Sequence, residues 1–268
     1  MIILLSPAKL LDFSEPPEGL EKTSPALLAD TKRLAKTTKD LTRGDLSRLM
    51  GLSEKLADLN FERFQAFKPS GARVETKQAG LAFAGDVYRG LEAATLSPED
   101  LTFAQDHLRI LSGFYGLLRP LDGIQPYRLE MGTKLANERG EDLYSFWGAR
   151  IAKAINADLN AQSGTGAPVI VNLASNEYFK AVDKAALKTP VISPVFKEEK
   201  DGKLKSLMFY AKRARGLMAR YAIQERITDP DALRGFNVEG YRYRPDLSSD
   251  ADWVFTRPQP KTKATKAA

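Results

Sequence analysis

The chain has 268 residues, 43% of them hydrophobic, with no cysteine, one histidine and a net charge of +6 at pH 7. That suffices for a sizeable core in one large or two small domains. It excludes disulfides, thiolate metal sites, cysteine nucleophiles, histidine-rich metal clusters and a Ser-His-Asp triad with a spare imidazole.

Taken in order, Met1–Leu5 reads as a buried strand emptying into Ser6-Pro7-Ala8-Lys9. It is too short for a signal peptide, and no apolar run reaches membrane-spanning length, so a soluble cytoplasmic protein is expected. The strand places Ser6 and Lys9 at a sheet end, where α/β proteins often keep their sites; a plain surface turn is the alternative. Residues 10–24 read as an irregular loop. Pro25 opens a helix with Leu27, Leu28, Leu34, Ala35 and Leu41 at helical spacing. A second helix carries Leu46, Leu49 and Met50, and Ser53 caps a third with Leu56 and Leu59. Ala79–Gly90 reads as a short strand turning into a helix near Asp86, an acid that a helix cap explains as well as catalysis does.

Ser97, Pro98, Glu99 and Asp100 form a strong helix start, with a cap, a proline at the first helical position and acids near the positive end of the dipole. Leu101, Ala104, Leu108 and Leu111 then recur at helical spacing, and Ser112-Gly113 stops the helix. His107 follows Phe103 by four residues and reads as structural. After Phe114-Tyr115-Gly116 come Leu117, Leu118, Arg119 and Pro120. This predicts a helix-hairpin-helix whose glycines, Gly113 and Gly116, let backbone N–H groups approach a DNA phosphate, with Arg109 and Arg119 flanking it. A buried corner between two helices is the alternative, and Pro120 would break a long second helix. In the irregular run Pro126–Gly132, Arg128 and Glu130 lie two apart and point the same way, which suits an internal ion pair or a binding site.

Asp142–Leu159 reads as a helix, Ser163–Gly166 as a linker, and Val169–Leu173 as a central buried strand. Asn172, Ser175, Asn176 and Glu177 follow it, before a helix with Tyr178, Phe179 and Lys180; this junction is the best pocket candidate. Val191–Phe196 and Leu204–Tyr210 form an expected antiparallel pair. The helix Ala211–Arg226 sets Lys212, Arg213, Arg215, Arg220 and Arg226 against one acid, Glu225. Such an excess suits a phosphate-binding face, and an ordinary solvated helix is the alternative. Tyr241–Arg244 and Trp253–Thr256 read as edge strands. Residues 258–268 hold three lysines and no acid, read as a disordered basic tail, and leave only +3 on residues 1–257.

The runs IILLSPAK, LAFAGDVYRGL, HLRILSGFYGLLRPLDGIQPYRLEMG, NLASNEYFKAV and FYAKRARGLMARY resemble, in the same order, the YaaA peroxide-stress family over residues 1 to 256. The resemblance implies a bacterial cytosolic protein that limits free iron and oxidative damage. It also implies an α+β fold, a single domain (1–257) with a mixed β-sheet surrounded by helices, a helix-hairpin-helix and a basic cleft that binds double-stranded or structured DNA. Carried onto this chain, the hairpin spans Leu111–Leu117, with Ser112, Gly113, Tyr115 and Gly116 as its contact residues. The cleft bases come from Lys9, Arg109, Arg119, Arg128, Lys180, Lys212, Arg213 and Arg215. Iron storage would need several His, Cys or clustered carboxylate ligands, so no metal and no cofactor is expected and a DNA-protective role fits better. Two other classes remain open. One is an enzyme acting on a nucleic acid or nucleotide through Ser6, Lys9, Arg128, Glu130, Asn172 and Glu177, with no reaction identified. The other is a protein-interaction module docking through the hairpin.

Overall fold

The computed structural model describes residues 1–17, 19–69, 75–162 and 167–260. The expected linker at 163–166, and the tail from 261 onward, lie outside the described residues. Strand β1 (Ile2–Leu5) leads to a short β2 (Leu10–Leu11) and three helices, α1 (Leu28–Lys39), α2 (Arg43–Met50) and α3 (Glu54–Ala66). Then come β3 (Lys77–Gln78), α4 (Ala79–Ala82), β4 (Phe83–Ala84), α5 (Asp86–Leu91) and α6 (Pro98–His107). The middle of the chain forms β5 (Leu108–Ser112), β6 (Gly116–Leu118), β7 (Gly123–Ile124), α7 (Leu143–Trp147) and α8 (Arg150–Ala161). The remainder is β8 (Ile170–Leu173), α9 (Asn176–Phe179), β9 (Val191–Lys200), β10 (Lys203–Lys205), α10 (Met208–Gln224), β11 (Arg242–Tyr243) and β12 (Asp252–Pro258).

An eight-stranded mixed sheet organises the molecule, in the order β11-β12-β9-β8-β1-β5-β6, with β10 paired onto β9. β12, β9, β8, β1 and β5 run parallel, whereas β11, β6 and β10 are antiparallel to their neighbours. Ile2–Leu5 and Ile170–Leu173 are buried along their whole length, as strands covered on both faces must be. The chain visits β5 on one side of β1 and later β8 on the other. The strand order therefore reverses around β1, and the carboxyl ends of β1, β8 and β5 open at that switch point.

The helix start at Ser97 is as the sequence predicts: Ser97 Oγ accepts the Asp100 amide at 3.1 Å and the Asp100 carboxylate accepts the Ser97 amide at 3.2 Å. Its end is not. α6 stops at His107, and Leu108 to Ser112 turn extended, pairing with β1 through Ile3↔Leu108 and Leu5↔Ile110. Leu108 and Leu111 satisfy a helical period, but the whole run is buried, and a fully buried strand is apolar without needing alternation.

Three smaller boundaries differ as well. The helix expected over Asp142–Leu159 breaks at Gly148, where φ is +46°, giving α7 and α8. The strand expected over Leu204–Tyr210 is only Lys203–Lys205, because the following helix begins at Met208. Trp253–Thr256 lies inside the sheet between β11 and β9, so only β11 forms that edge.

Candidate functional site

The carboxyl ends of the parallel strands gather a polar cluster. Ser6 follows β1, and its Oγ accepts the Ser175 amide at 2.8 Å and meets the Ser175 hydroxyl at 3.3 Å. Tyr88 OH donates to the Ser6 carbonyl at 3.0 Å. Ser112, at the end of β5, bonds Tyr127 OH at 2.6 Å and accepts the amides of Phe114 and Tyr115. Glu130 is held by Arg128 and Lys9, each at 3.0 Å, so the expected Arg128–Glu130 ion pair forms. Glu177 Oε1 accepts the Gly132 amide at 3.0 Å, and Asn172 Oδ1 accepts the Ala174 amide at 3.0 Å. The Lys180 ammonium sits 4.8 Å from the Tyr144 ring centroid. Burial pushes the phenols of Tyr88, Tyr127 and Tyr178 well above their ordinary values, so they stay neutral donors.

The six residues considered for an enzyme thus lie along one end of the sheet, but Lys9, Arg128 and Glu130 are spent on one another, and Ser6, Asn172 and Glu177 on the amides of Ser175, Ala174 and Gly132. Ser6 Oγ bonds only Ser175 among the described residues, with no base to take its proton. Glu130 is neutralised from two sides. A cavity of about 1210 Å³ opens instead at the amino ends of the strands, lined by Met1, His107, Arg109, Arg119 and Asp158 among others.

The predicted helix-hairpin-helix is a β-hairpin. β5 and β6 pair through Ile110↔Leu118 and Ser112↔Gly116, and Ser112, Gly113, Phe114, Tyr115 and Gly116 are all buried. Gly113 is needed for close packing, since a Cβ there would lie 2.3 Å from the Leu129 carbonyl oxygen. Gly116 has φ +72° and abuts the Trp147 ring. Arg109 is 4% exposed; its Nε donates to Asp158 at 2.6 Å and its Nη1 to the Gln105 and Leu108 carbonyls. Arg119 pairs with Asp122 at 3.5 Å. The hairpin residues and Arg109 are thus held by the core, whereas the Arg119 side chain is 36% exposed and lines the cavity at the amino ends of the strands.

The basic helix is also largely paired. Arg213 Nε bonds Glu239 at 2.7 Å and its Nη1 the Arg89 carbonyl at 3.1 Å. Arg220 reaches the Leu91 and Glu92 carbonyls, and Arg226 bonds Asp100. Lys212 remains exposed. Arg215 is half-buried and makes no hydrogen bond or ion pair to a described residue, and burial pulls its guanidinium below the ordinary value. Of the proposed bases, Lys180, Lys212 and Arg215 make no ion pair to a described residue, whereas Lys9 is exposed but paired to Glu130 and the partly exposed Arg119 is paired to Asp122.

The sequence profile of the family described as "Peroxide stress protein YaaA" matches residues 1–247. The chain belongs to that family. A UPF0246 protein of Maricaulis maris is 57% identical over 268 residues, covering both chains completely. Another from Phenylobacterium zucineum is 55% identical over 264 residues, covering 98% of this chain and 97% of the relative. One from Caulobacter vibrioides is 55% identical over 260 residues, covering 97% of this chain and all of the relative.

This YaaA-family chain does hold a helix–glycine–helix corner, at a place the sequence reading passed over. α2 ends on Gly51 at φ +60°, and Ser53 precedes α3 without a side-chain cap bond. The signal was Met50-Gly51-Leu52 between two amphipathic runs. Its rim mixes signs, with Glu54 opening α3 and Arg43 paired to Asp58 at 2.8 Å.

His107 is structural, as expected. Its ring stacks on Phe103 at 4.1 Å between centroids, and Nδ1 lies 2.8 Å from the Met1 carbonyl oxygen. Burial lowers its pKa, outweighing the opposing bond to Met1. The unfolded chain then takes up the proton first, so the stability from neutral His107 is complete above about pH 6.5 and drains away as pH falls through the folded value. Urea midpoints at about pH 7.5 and about pH 5.5 should differ less in His107→Gln than in the wild type. Equal differences would remove His107 from the pH response.

Proposed function

We propose that this member of the peroxide-stress family acts by binding DNA through sequence-independent phosphate contacts at the carboxyl end of its sheet, shielding the DNA from iron-dependent damage. Arg215 carries the reading. A half-buried guanidinium without a carboxylate is costly to keep charged, and a bound phosphate would supply the missing counter-charge. Lys212 extends that charge one turn toward the start of α10, and Lys9 and Lys180 add exposed positive charge after β1 and α9. No base-reading element is needed, since phosphate contacts alone give affinity without sequence preference.

The test is fluorescence anisotropy of a labelled duplex titrated across salt with the full chain. Replacing Lys212 and Arg215 together with alanine is expected to flatten the slope of log affinity against log salt by about 2. An unchanged slope, with unchanged thermal stability, would remove α10 from the interface.

A further inference from the structure

The start of α10 exposes two large apolar side chains, Met208 at 73% and Phe209 at 55%. Nothing in the described fold covers them. Phe209 is not a loose end, because its ring contacts Tyr210 edge-on at 5.5 Å and Tyr210 in turn lies 4.9 Å from the Arg257 guanidinium. The β9–β10 turn stands beside this step. In its register Lys203 faces Lys200 and Lys205 faces Glu198, so these four side chains share one face of the hairpin. Glu198 identifies that face, since its Oε2 accepts the Leu207 amide at the start of the helix at 3.3 Å. Glu199, opposite Leu204, points the other way. Lys212 follows Met208 by four residues and Phe209 by three, so it stands over the same turn of helix.

The result is an apolar step with Lys212 one turn along the helix and Lys200, Lys203 and Lys205 on the hairpin face that carries Glu198. Four like charges repel a second copy of the same face and call for a polyanion. The aromatic centre calls for a flat apolar partner. An unpaired nucleobase beside its own phosphates supplies both, whereas the base faces of intact duplex are hidden in the stack. We propose that Phe209, backed by Met208, stacks on an unpaired base, so that the chain favours gapped DNA over intact duplex. The inference rests on the DNA-binding reading above and names which DNA that surface selects.

The experiment compares a fluorescein-labelled duplex carrying a short central gap with the same duplex intact, using the full chain. The wild type is expected to prefer the gapped form by about tenfold. Phe209→Ala should lose that preference while keeping its affinity for intact duplex, its salt slope and its urea midpoint. Phe209→Trp should retain it. Equal wild-type affinity for the two duplexes, or an equal loss on both in Phe209→Ala, would overturn the stacking role while leaving phosphate binding in place. Failure to bind either duplex would overturn both readings. Binding to phosphatidylserine vesicles that Phe209→Ala abolishes, with gap preference unaltered, would assign the step to a lipid surface instead.

Discussion

Replacing Gly216 with alanine is expected to destabilise the chain by about 3 kcal/mol, a large loss for a single methyl group. At Gly216 the added Cβ would lie 1.8 Å from the Val87 carbonyl oxygen and 2.9 Å from the Leu91 nitrogen. The contact is reciprocal, since a Cβ at Gly90 would lie 2.3 Å from the Arg213 carbonyl oxygen and 2.8 Å from the Leu217 nitrogen. Both obstacles are backbone, so no rotamer change relieves them, and α5 and α10 must move apart. That movement opens the packing of Ala214, Leu217 and Met218 against the core. The midpoint of urea unfolding should fall steeply with the slope unchanged. A midpoint like that of the wild type would mean that the two helices do not cross at these glycines.

The second large effect concerns Arg257, which is buried with Glu198. Its guanidinium lies 4.3 Å from the Tyr241 ring centroid and 3.5 Å from Glu198 Oε1, and its Nη1 donates to Glu239 Oε2 at 2.9 Å. Tyr241 OH donates to Glu198 Oε1 at 2.5 Å. Arg257→Met would leave the Glu198 carboxylate enclosed with only neutral donors, an expected cost of about 3–5 kcal/mol. Adding Glu198→Gln should recover part of that loss, because it removes the stranded charge while keeping an acceptor for Tyr241 and Leu207. Thermal denaturation of the single and double variants measures this directly. A double variant no better than Arg257→Met would locate the cost in lost packing against Tyr210 and Tyr241, not in charge.

What could be read in advance follows from which forces are local. Ile2–Leu5 and Val169–Leu173 announce buried strands because a strand covered on both faces must be apolar throughout. Ser97 and Asp100 announce a helix start because a capping box involves residues three apart. Arg128 and Glu130 are close enough in sequence for their pairing to be foreseen. The end of α6 was not local: Leu108–Ser112 is a strand because β1 lies beside it. Among the candidate bases, residue type was legible but partnership was not. Arg109 and Arg213 are claimed by Asp158 and Glu239, acids far along the chain that only the fold brings near. The turn between β9 and β10 reads in the sequence only as charged, for a related reason. The common face of its lysines with the helix start depends on a strand register, whereas net charge along the segment is diluted by Glu198, Glu199 and Asp201.

The parallel pairing of β12 with β9 has a consequence for how the chain is made. β9 is synthesised well before residues 252–258, yet its long edge through Ser193–Glu199 pairs with them. During translation that edge stays open while the intervening helix and turns emerge from the ribosome, offering unpaired N–H and C=O groups to any neighbouring chain. Arg257, which closes on Glu198, also arrives in that last strand. A ribosome that stalls before it therefore releases a chain with an open edge and an uncompensated acid, a ready substrate for chaperones and proteases.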